Sequence, residues 1–182
     1  YVGNRSSGEM GYATAEAARD RGAEVVIVST VTLPVPSGVR VVPVESALQM
    51  QEAILAECAD ADALIMAGAI ADYRPATTTD HKIKRETAGD LTIELIENPD
   101  IIASVPTQNA RPGGLVKVAF AAETDDLVAN AQRKLERKGA RFVVANDVTA
   151  TDAGFSVDDN RVTILDDDGG AEAYPLMSKY AV

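Results

Sequence analysis

The chain has 182 residues, the length of one domain and enough for a layered core. Its 28 Asp and Glu against 17 Lys and Arg give a formal charge of −11. That balance excludes non-specific nucleic-acid binding, because no basic field exists to displace counterions. Cys58 is the only cysteine and His81 the only histidine. No internal disulfide is possible, which fits a reducing cytosol, and a Ser-His-Asp triad or multi-histidine metal site has little to work with.

The first eleven residues end in Asn4-Arg5-Ser6-Ser7-Gly8-Glu9-Met10-Gly11 and lead into a helical pattern from about Met10 to Arg21. A small-residue loop entering a helix leaves backbone N–H groups unpaired, with the positive end of the dipole behind them. The arrangement suits an anion, and it equally suits a plain capped loop. Glu9 would repel a phosphate if it pointed inward. Neither a P-loop nor a G-x-G-x-x-G fingerprint is present, since Gly8 is followed by Glu9-Met10 and only Gly8-x-x-Gly11 matches.

Gly22 ends this helix, and Val25-Val26-Ile27-Val28 reads as a buried strand. A proline loop over 33–38 precedes a second short strand, Val39–Val44, which Pro43 places near an edge. Ser46-x-x-Gln49 is a capping box, after which Ala47, Met50, Ile54 and Cys58 hold helical spacing. Cys58 on that apolar face reads as a small hydrophobe. Ala63–Ala69 is the next buried strand. This alternation predicts an α/β fold: a Rossmann-like, mostly parallel sheet with helices on both faces.

A long excursion then runs from Ile70 through Ala71-Asp72-Tyr73-Arg74-Pro75 and His81-Lys82-Ile83-Lys84-Arg85 to a turn at Ala88-Gly89-Asp90. The alternation of Leu91, Ile93 and Leu95 predicts a hairpin with the strand around Ile83. Loops of this length inside a domain are functional or mobile. This one starts at a strand's carboxyl end, where open α/β sheets bind ligands. Asn98-Pro99-Asp100-Ile101-Ile102 reads as a helix entry capped by Asn98. Val116–Ala122 is a strand, and Thr124 caps a helix with Leu127, Ala131 and Leu135 buried and Gly139 at its end. Phe142–Ala145 is the last parallel strand. Val162–Leu165 and Ala171–Tyr174 form a C-terminal antiparallel hairpin, and Ser178 reads as the cap of a helix expected to run beyond Val182.

Several residues could carry chemistry. Lys82 heads a basic cluster and is either a mobile cation that closes on a phosphate or a solvated hairpin charge. Lys134 and Lys138, four apart, share a flank of their helix and suit either an anion or the dipole. Asp72 at a strand end could meet a metal-bound phosphate, a ribose or its own turn. Phe120 could stack on a base or fill the core.

Six stretches occur in order: Asn4-Arg5-Ser6-Ser7-Gly8-x-Met10-Gly11, Ala71-Asp72-Tyr73-Arg74, Lys82-Ile83-Lys84, Asn98-Pro99-Asp100-Ile101, Phe120-Ala121-Ala122-Glu123-Thr124 and Ala145-Asn146-Asp147. Over essentially the whole chain this set resembles bacterial phosphopantothenoylcysteine synthetase, the phosphopantothenate–cysteine ligase of coenzyme A biosynthesis. The resemblance implies a cytoplasmic homodimer that uses CTP and Mg2+ or Mn2+, with no flavin in this domain. It implies two steps: 4′-phosphopantothenate attacks the α-phosphate of CTP, and cysteine then attacks the acyl-cytidylate. By resemblance, Lys82 assists the first step and Asn4 holds the intermediate for the second. Gly68, Asp72, Lys82, Pro99, Asp100, Ile101, Ile102, Phe120, Lys134 and Lys138 match CTP-contacting positions, and Asp72 is the candidate for the cation.

In many bacteria the family's domain is fused behind a flavin-dependent decarboxylase. Family members also carry a strand and a glycine-rich loop with an arginine ahead of the Asn-x-Ser-Ser-Gly motif. Residues 1–182 are therefore expected to be a single ligase domain shortened at both ends. Glu9 stands where the family often has a basic residue, and Ala119 where it usually has glycine. Two other functions are compatible with the pattern: a Rossmann-type NAD(P)-dependent oxidoreductase, disfavoured by the missing fingerprint, and a non-catalytic nucleotide-binding module.

Overall fold

The computed structural model describes residues 4, 6–81, 83–84, 90–123, 127–147 and 159–182. Its centre is a five-stranded sheet. β3 (Ala63–Met66), β6 (Val116–Glu123) and β7 (Phe142–Asp147) are its parallel strands. Beyond β7 the sheet turns antiparallel, through β9 (Val162–Asp166) and β10 (Ala171–Ala173). β6 is the longest strand, and its register runs from Val118 opposite Phe142 to Glu123 opposite Asp147. β1 (Val26–Ser29) and β2 (Arg40–Pro43) form a separate parallel ladder. Packing joins that pair to the main sheet: Val28 and Val42 meet Leu64 and Met66 of β3 around a shared core.

α1 (Glu9–Asp20) and α2 (Ala47–Cys58) both pack on β1. The capping box of α2 forms as its spacing predicts, with Gln49 N donating to Ser46 Oγ at 3.2 Å and Ser46 N to Gln49 Oε1 at 3.2 Å. Met50, Ile54 and Cys58 face inward from α2 onto Ile101, Val105 and Leu115. Burial pushes the Cys58 thiol up, so it behaves as a small hydrophobe and not as a nucleophile. α4 (Leu127–Lys138) lies across β6, β7 and β9, and Leu135 seats on Ala119, Ala121, Val143 and Ala145. The alanines are what let the helix approach the sheet closely. The expected cap and first turn of α4, Thr124, Asp125 and Asp126, lie outside the described residues.

Two expectations about the excursion need correction. Its hairpin pairs β4 (Tyr73–Pro75) with β5 (Leu95–Glu97), not the segment around Ile83 with Leu91–Leu95. Polar bonds at the base of the excursion select this pairing. Arg74 donates to Glu97 O and, at 3.2 Å, to Asn98 Oδ1, while Asn98 Nδ2 donates to Ala71 O at 2.8 Å and Asn98 N to Asp72 O at 2.7 Å. Asn98 is thereby occupied, and the N-cap of the next helix is Asp100 instead. α3 (Ile101–Ser104) has the Asp100 carboxylate accepting from Ala103 N at 3.3 Å.

A four-residue helix cannot sustain itself on its own hydrogen bonds. α3 is pinned by Ile101 and Ile102, each in a different core cluster. Lys117 on β6 adds a third hold. Only 3% exposed, its ammonium donates to Ile102 O and Val105 O at 3.0 Å each. Burial lowers the pKa of Lys117, and Asp100 opposes the shift.

Candidate functional site

α1 begins without a side-chain cap. Gly8 is its N-cap with φ +77°, a left-handed conformation that glycine adopts freely. A Cβ on Gly8 would stand 2.3 Å from Val31 Cγ2, so the loop is pressed against the chain that leaves β1. Tyr12 N is the first helical amide with a carbonyl partner, Gly8 O at 3.1 Å. Gly8 N and Glu9 N make long bonds of 3.4 Å to Ser6 Oγ and Ser7 Oγ. The amides of Met10 and Gly11 have no acceptor among the described residues, and Gly11 meets no atom within 4 Å on its Cβ side. Two donors and an open side are what a helix N-terminus needs to receive an anion.

These residues form one wall of a cleft of about 160 Å3. Ala67, Gly68 and Ala69, just past β3, form the floor, with Phe120 and Ala121 of β6 and Asn146 of β7 beside them. β8 (Asp159–Asn160) adds Asn160, and Lys179 follows β11 (Met177–Ser178), the antiparallel partner of β8. The cleft thus lies where the parallel strands end, as the fold class predicts. The side-chain oxygens of Asn146 and Asn160 are buried in it without a hydrogen-bond partner among the described residues. Unpaired buried amides are uncommon and call for a bonding partner.

Glu9 does not face the anion position uncompensated. Lys179 donates to its carboxylate at 2.5 Å, and that bond, with one from Ser7, holds Glu9 below the usual carboxylate range.

The structure places the expected residues in two groups. Gly68 and Phe120 line the cleft, and Asn4 stands beside its floor, with Asn4 Nδ2 donating to Ile70 O at 2.9 Å. Asp72 begins the excursion two residues further on. The second group centres on Asp100, which Lys138 Nζ approaches at 3.4 Å and Arg137 at 4.0 Å. Pro99, Ile101 and Ile102 belong to it by sequence. Both isoleucines are 2% exposed, so only their backbone is available to a ligand. Lys134 is half-buried on the same helix. Lys82 lies outside the described residues.

Asn160 and Lys179 were not foreseen. Asn160 sits in the polar run Asp158-Asp159-Asn160-Arg161 and Lys179 in the largely apolar Leu176-Met177-Ser178-Lys179-Tyr180, neither within a recognisable motif, and the one available clue was an acidic Glu9 at a phosphate-suited helix start. Among the described residues no three His, Cys, Asp or Glu side chains converge. A cation touched by Asp72 would have to take most of its ligands from other groups, as Mg2+ does from substrate phosphates, and not from an all-protein cage.

The sequence profile of the DNA/pantothenate metabolism flavoprotein C-terminal domain matches residues 1–182. The chain belongs to that family. Within it, the coenzyme A biosynthesis bifunctional protein CoaBC of Vibrio vulnificus strain YJ016 is 45% identical over 100% of this chain and 45% of its own length. The Bacillus subtilis strain 168 protein of the same name is 42% identical over 98% of this chain and 44% of its own. The chain spans less than half the length of these relatives. A crystal structure of the C-terminal domain of CoaBC superposes with a TM-score of 0.77 at 35% identity, covering 98% of this chain and 78% of that one. A Cab2 mutant in complex with phosphopantothenate-cysteine gives 0.66 at 16% identity over 94% of this chain, a likeness of fold. Family membership and fold agree with the resemblance carried by the six sequence stretches.

Proposed function

We propose that this domain ligates 4′-phosphopantothenate to L-cysteine at the expense of CTP, in coenzyme A biosynthesis. The observation that carries the reading is the cleft itself. The Ser6-Ser7-Gly8 loop, and helix amides and asparagine oxygens that lack a partner among the described residues, lie with Gly68 and Phe120 at the strand ends, in a chain of a family whose members act in this pathway. A carboxylate is a poor acyl donor, so the reaction needs activation. A carboxylate oxygen of the acid attacks the α-phosphorus of CTP, the bond to the β-phosphate breaks, and pyrophosphate leaves. The cysteine amine then attacks the acyl carbon, the C–O bond breaks, CMP leaves, and the amine loses a proton.

The acid lies along the cleft with its phosphate toward the start of α1. The nucleotide meets Gly68, Phe120 and the Asp100 group, where Lys134 and Lys138 supply positive charge. Asn4 is a neutral amide beside the floor of the cleft, able to hydrogen-bond an acyl carbonyl without titrating. Lys82 closes over the reacting phosphorus, a role that rests on the resemblance. A divalent cation on the triphosphate, touched by Asp72, would neutralise phosphate charge. The exposed apolar side chains of Tyr73, Ile83, Leu91, Ile93 and Leu95 on the excursion support a homodimer that covers them. The bifunctional names and greater length of the relatives support a fused decarboxylase as a partner.

The test is pyrophosphate release from CTP and 4′-phosphopantothenate, before and after cysteine is added. Lys82→Gln should abolish the first signal. Asn4→Asp should release pyrophosphate yet stall amide formation. Turnover by both variants equal to that of the unsubstituted chain would remove those roles.

A further inference from the structure

The last residues of the chain are fastened across α1 at both of its ends. Met177 pairs with Asn160 and Ser178 with Asp159. Lys179 then bonds Glu9 at the start of the helix. At the other end the Tyr180 hydroxyl donates to Asp20 Oδ2 at 2.9 Å, and Arg21 stacks over the Tyr180 ring at 5.9 Å. The strap brings Lys179 to the cleft, and β8, to which it pairs, brings Asn160, two side chains that the reading of the site has not used.

Their burial is out of proportion to a role in stability. The Lys179 side chain is 9% exposed while its partner Glu9 is 45% exposed. An ion pair open to water on one side returns little for burying an ammonium. Asn160 is 3% exposed, its Nδ2 reaches only Met10 Sδ at 3.7 Å, and its Oδ1 has no partner among the described residues. An unmet buried amide costs stability unless a ligand supplies the missing bond. Beside these two, Met10 N and Gly11 N have no acceptor among the described residues. One end of the cleft therefore combines a cation, two amide donors and an acceptor. It suits an anionic group attached to a body that carries an O–H or N–H donor.

We propose that Lys179 sets the preference of the acid site for a phosphorylated substrate, with Asn160 accepting a hydrogen bond from the substrate's hydroxyl or amide N–H. This rests on the ligase reading for the identity of the acid. Glu9 holds the ammonium in place, and the phosphate shares it, forming charge-assisted bonds that an unphosphorylated acid cannot make.

Calorimetric titration of the full chain with 4′-phosphopantothenate and with pantothenate, without CTP, tests the inference. The unsubstituted chain should favour the phosphorylated acid by about thirtyfold or more, and Lys179→Met should cut that ratio about tenfold. Lys179→Arg should keep the ratio within about threefold, because the charge remains. Tyr180→Phe, which loosens the strap without touching the charge, should leave the ratio unchanged. An unaltered ratio in Lys179→Met, or no preference in the unsubstituted chain, overturns the proposal. A folded chain that discriminates through Lys179 yet releases no pyrophosphate from CTP would overturn the ligase reading and leave this inference standing.

Discussion

Gly8 and Gly11 sit three residues apart in the same loop-to-helix turn, and the structure assigns them opposite sensitivities. At Gly8 the backbone is left-handed at φ +77°, and an added Cβ would stand 2.3 Å from Val31 Cγ2. A side chain there costs about 1–2 kcal/mol in backbone strain. Overpacking adds about 1–3 kcal/mol. Gly8→Ala should therefore lose about 2–5 kcal/mol, lowering the melting temperature by roughly 4–20 °C for a chain of this size. At Gly11 no atom lies within 4 Å of the added Cβ and φ is ordinary. Gly11→Ala should gain up to about 1 kcal/mol from helix propensity and melt slightly higher. Gly11 also lines the cleft, so the same methyl group enters the acid site. The more stable variant should bind 4′-phosphopantothenate about fivefold or more weakly. Thermal melts with calorimetric titration read both effects. Melting shifts of the same sign in the two variants, or unimpaired binding by Gly11→Ala, would refute this account of the turn.

Lys117→Met should cost about 1–3 kcal/mol, because the carbonyls of Ile102 and Val105 lose their donor. Since those carbonyls position α3, CTP affinity should fall more than affinity for the acid, and equal losses would detach α3 from the nucleotide. The Glu9–Lys179 pair should show in acid. The bond from Lys179 holds the folded-state pKa of Glu9 below the ordinary glutamate value. Its stabilisation is therefore present above that value and is lost as pH falls through the depressed one. The stability gap between the unsubstituted chain and Glu9→Gln should be widest near neutrality and close as pH falls below the ordinary carboxylate range, as denaturant midpoints across pH would show. A gap that widens in acid would contradict the pairing.

Local chemistry made much of the fold legible. The Ser46–Gln49 box, the apolar stripe of α2, Gly139 after α4 and the C-terminal hairpin are all decided by residues close in sequence. The excursion was misread because its pairing depends on Arg74 reaching Glu97 and Asn98 more than twenty residues away, a polar clasp with no periodicity. The same clasp moved the α3 cap from Asn98 to Asp100. Gly68 and Phe120 could be anticipated at the cleft because strand ends are where such folds bind ligands. Asn160 and Lys179 could not, since they reach the start of α1 across more than 140 residues of chain. Glu9 was seen as an obstacle to a phosphate, and its meaning changed once a lysine was found on it.

The central claim is that the acid is activated by joining one of its carboxylate oxygens to the α-phosphorus of CTP. 4′-Phosphopantothenate labelled with oxygen-18 in its carboxylate, turned over with CTP and cysteine, tests this directly through the mass of the CMP formed. One labelled oxygen in CMP is the predicted result. CMP free of label, with amide still produced, would contradict the account.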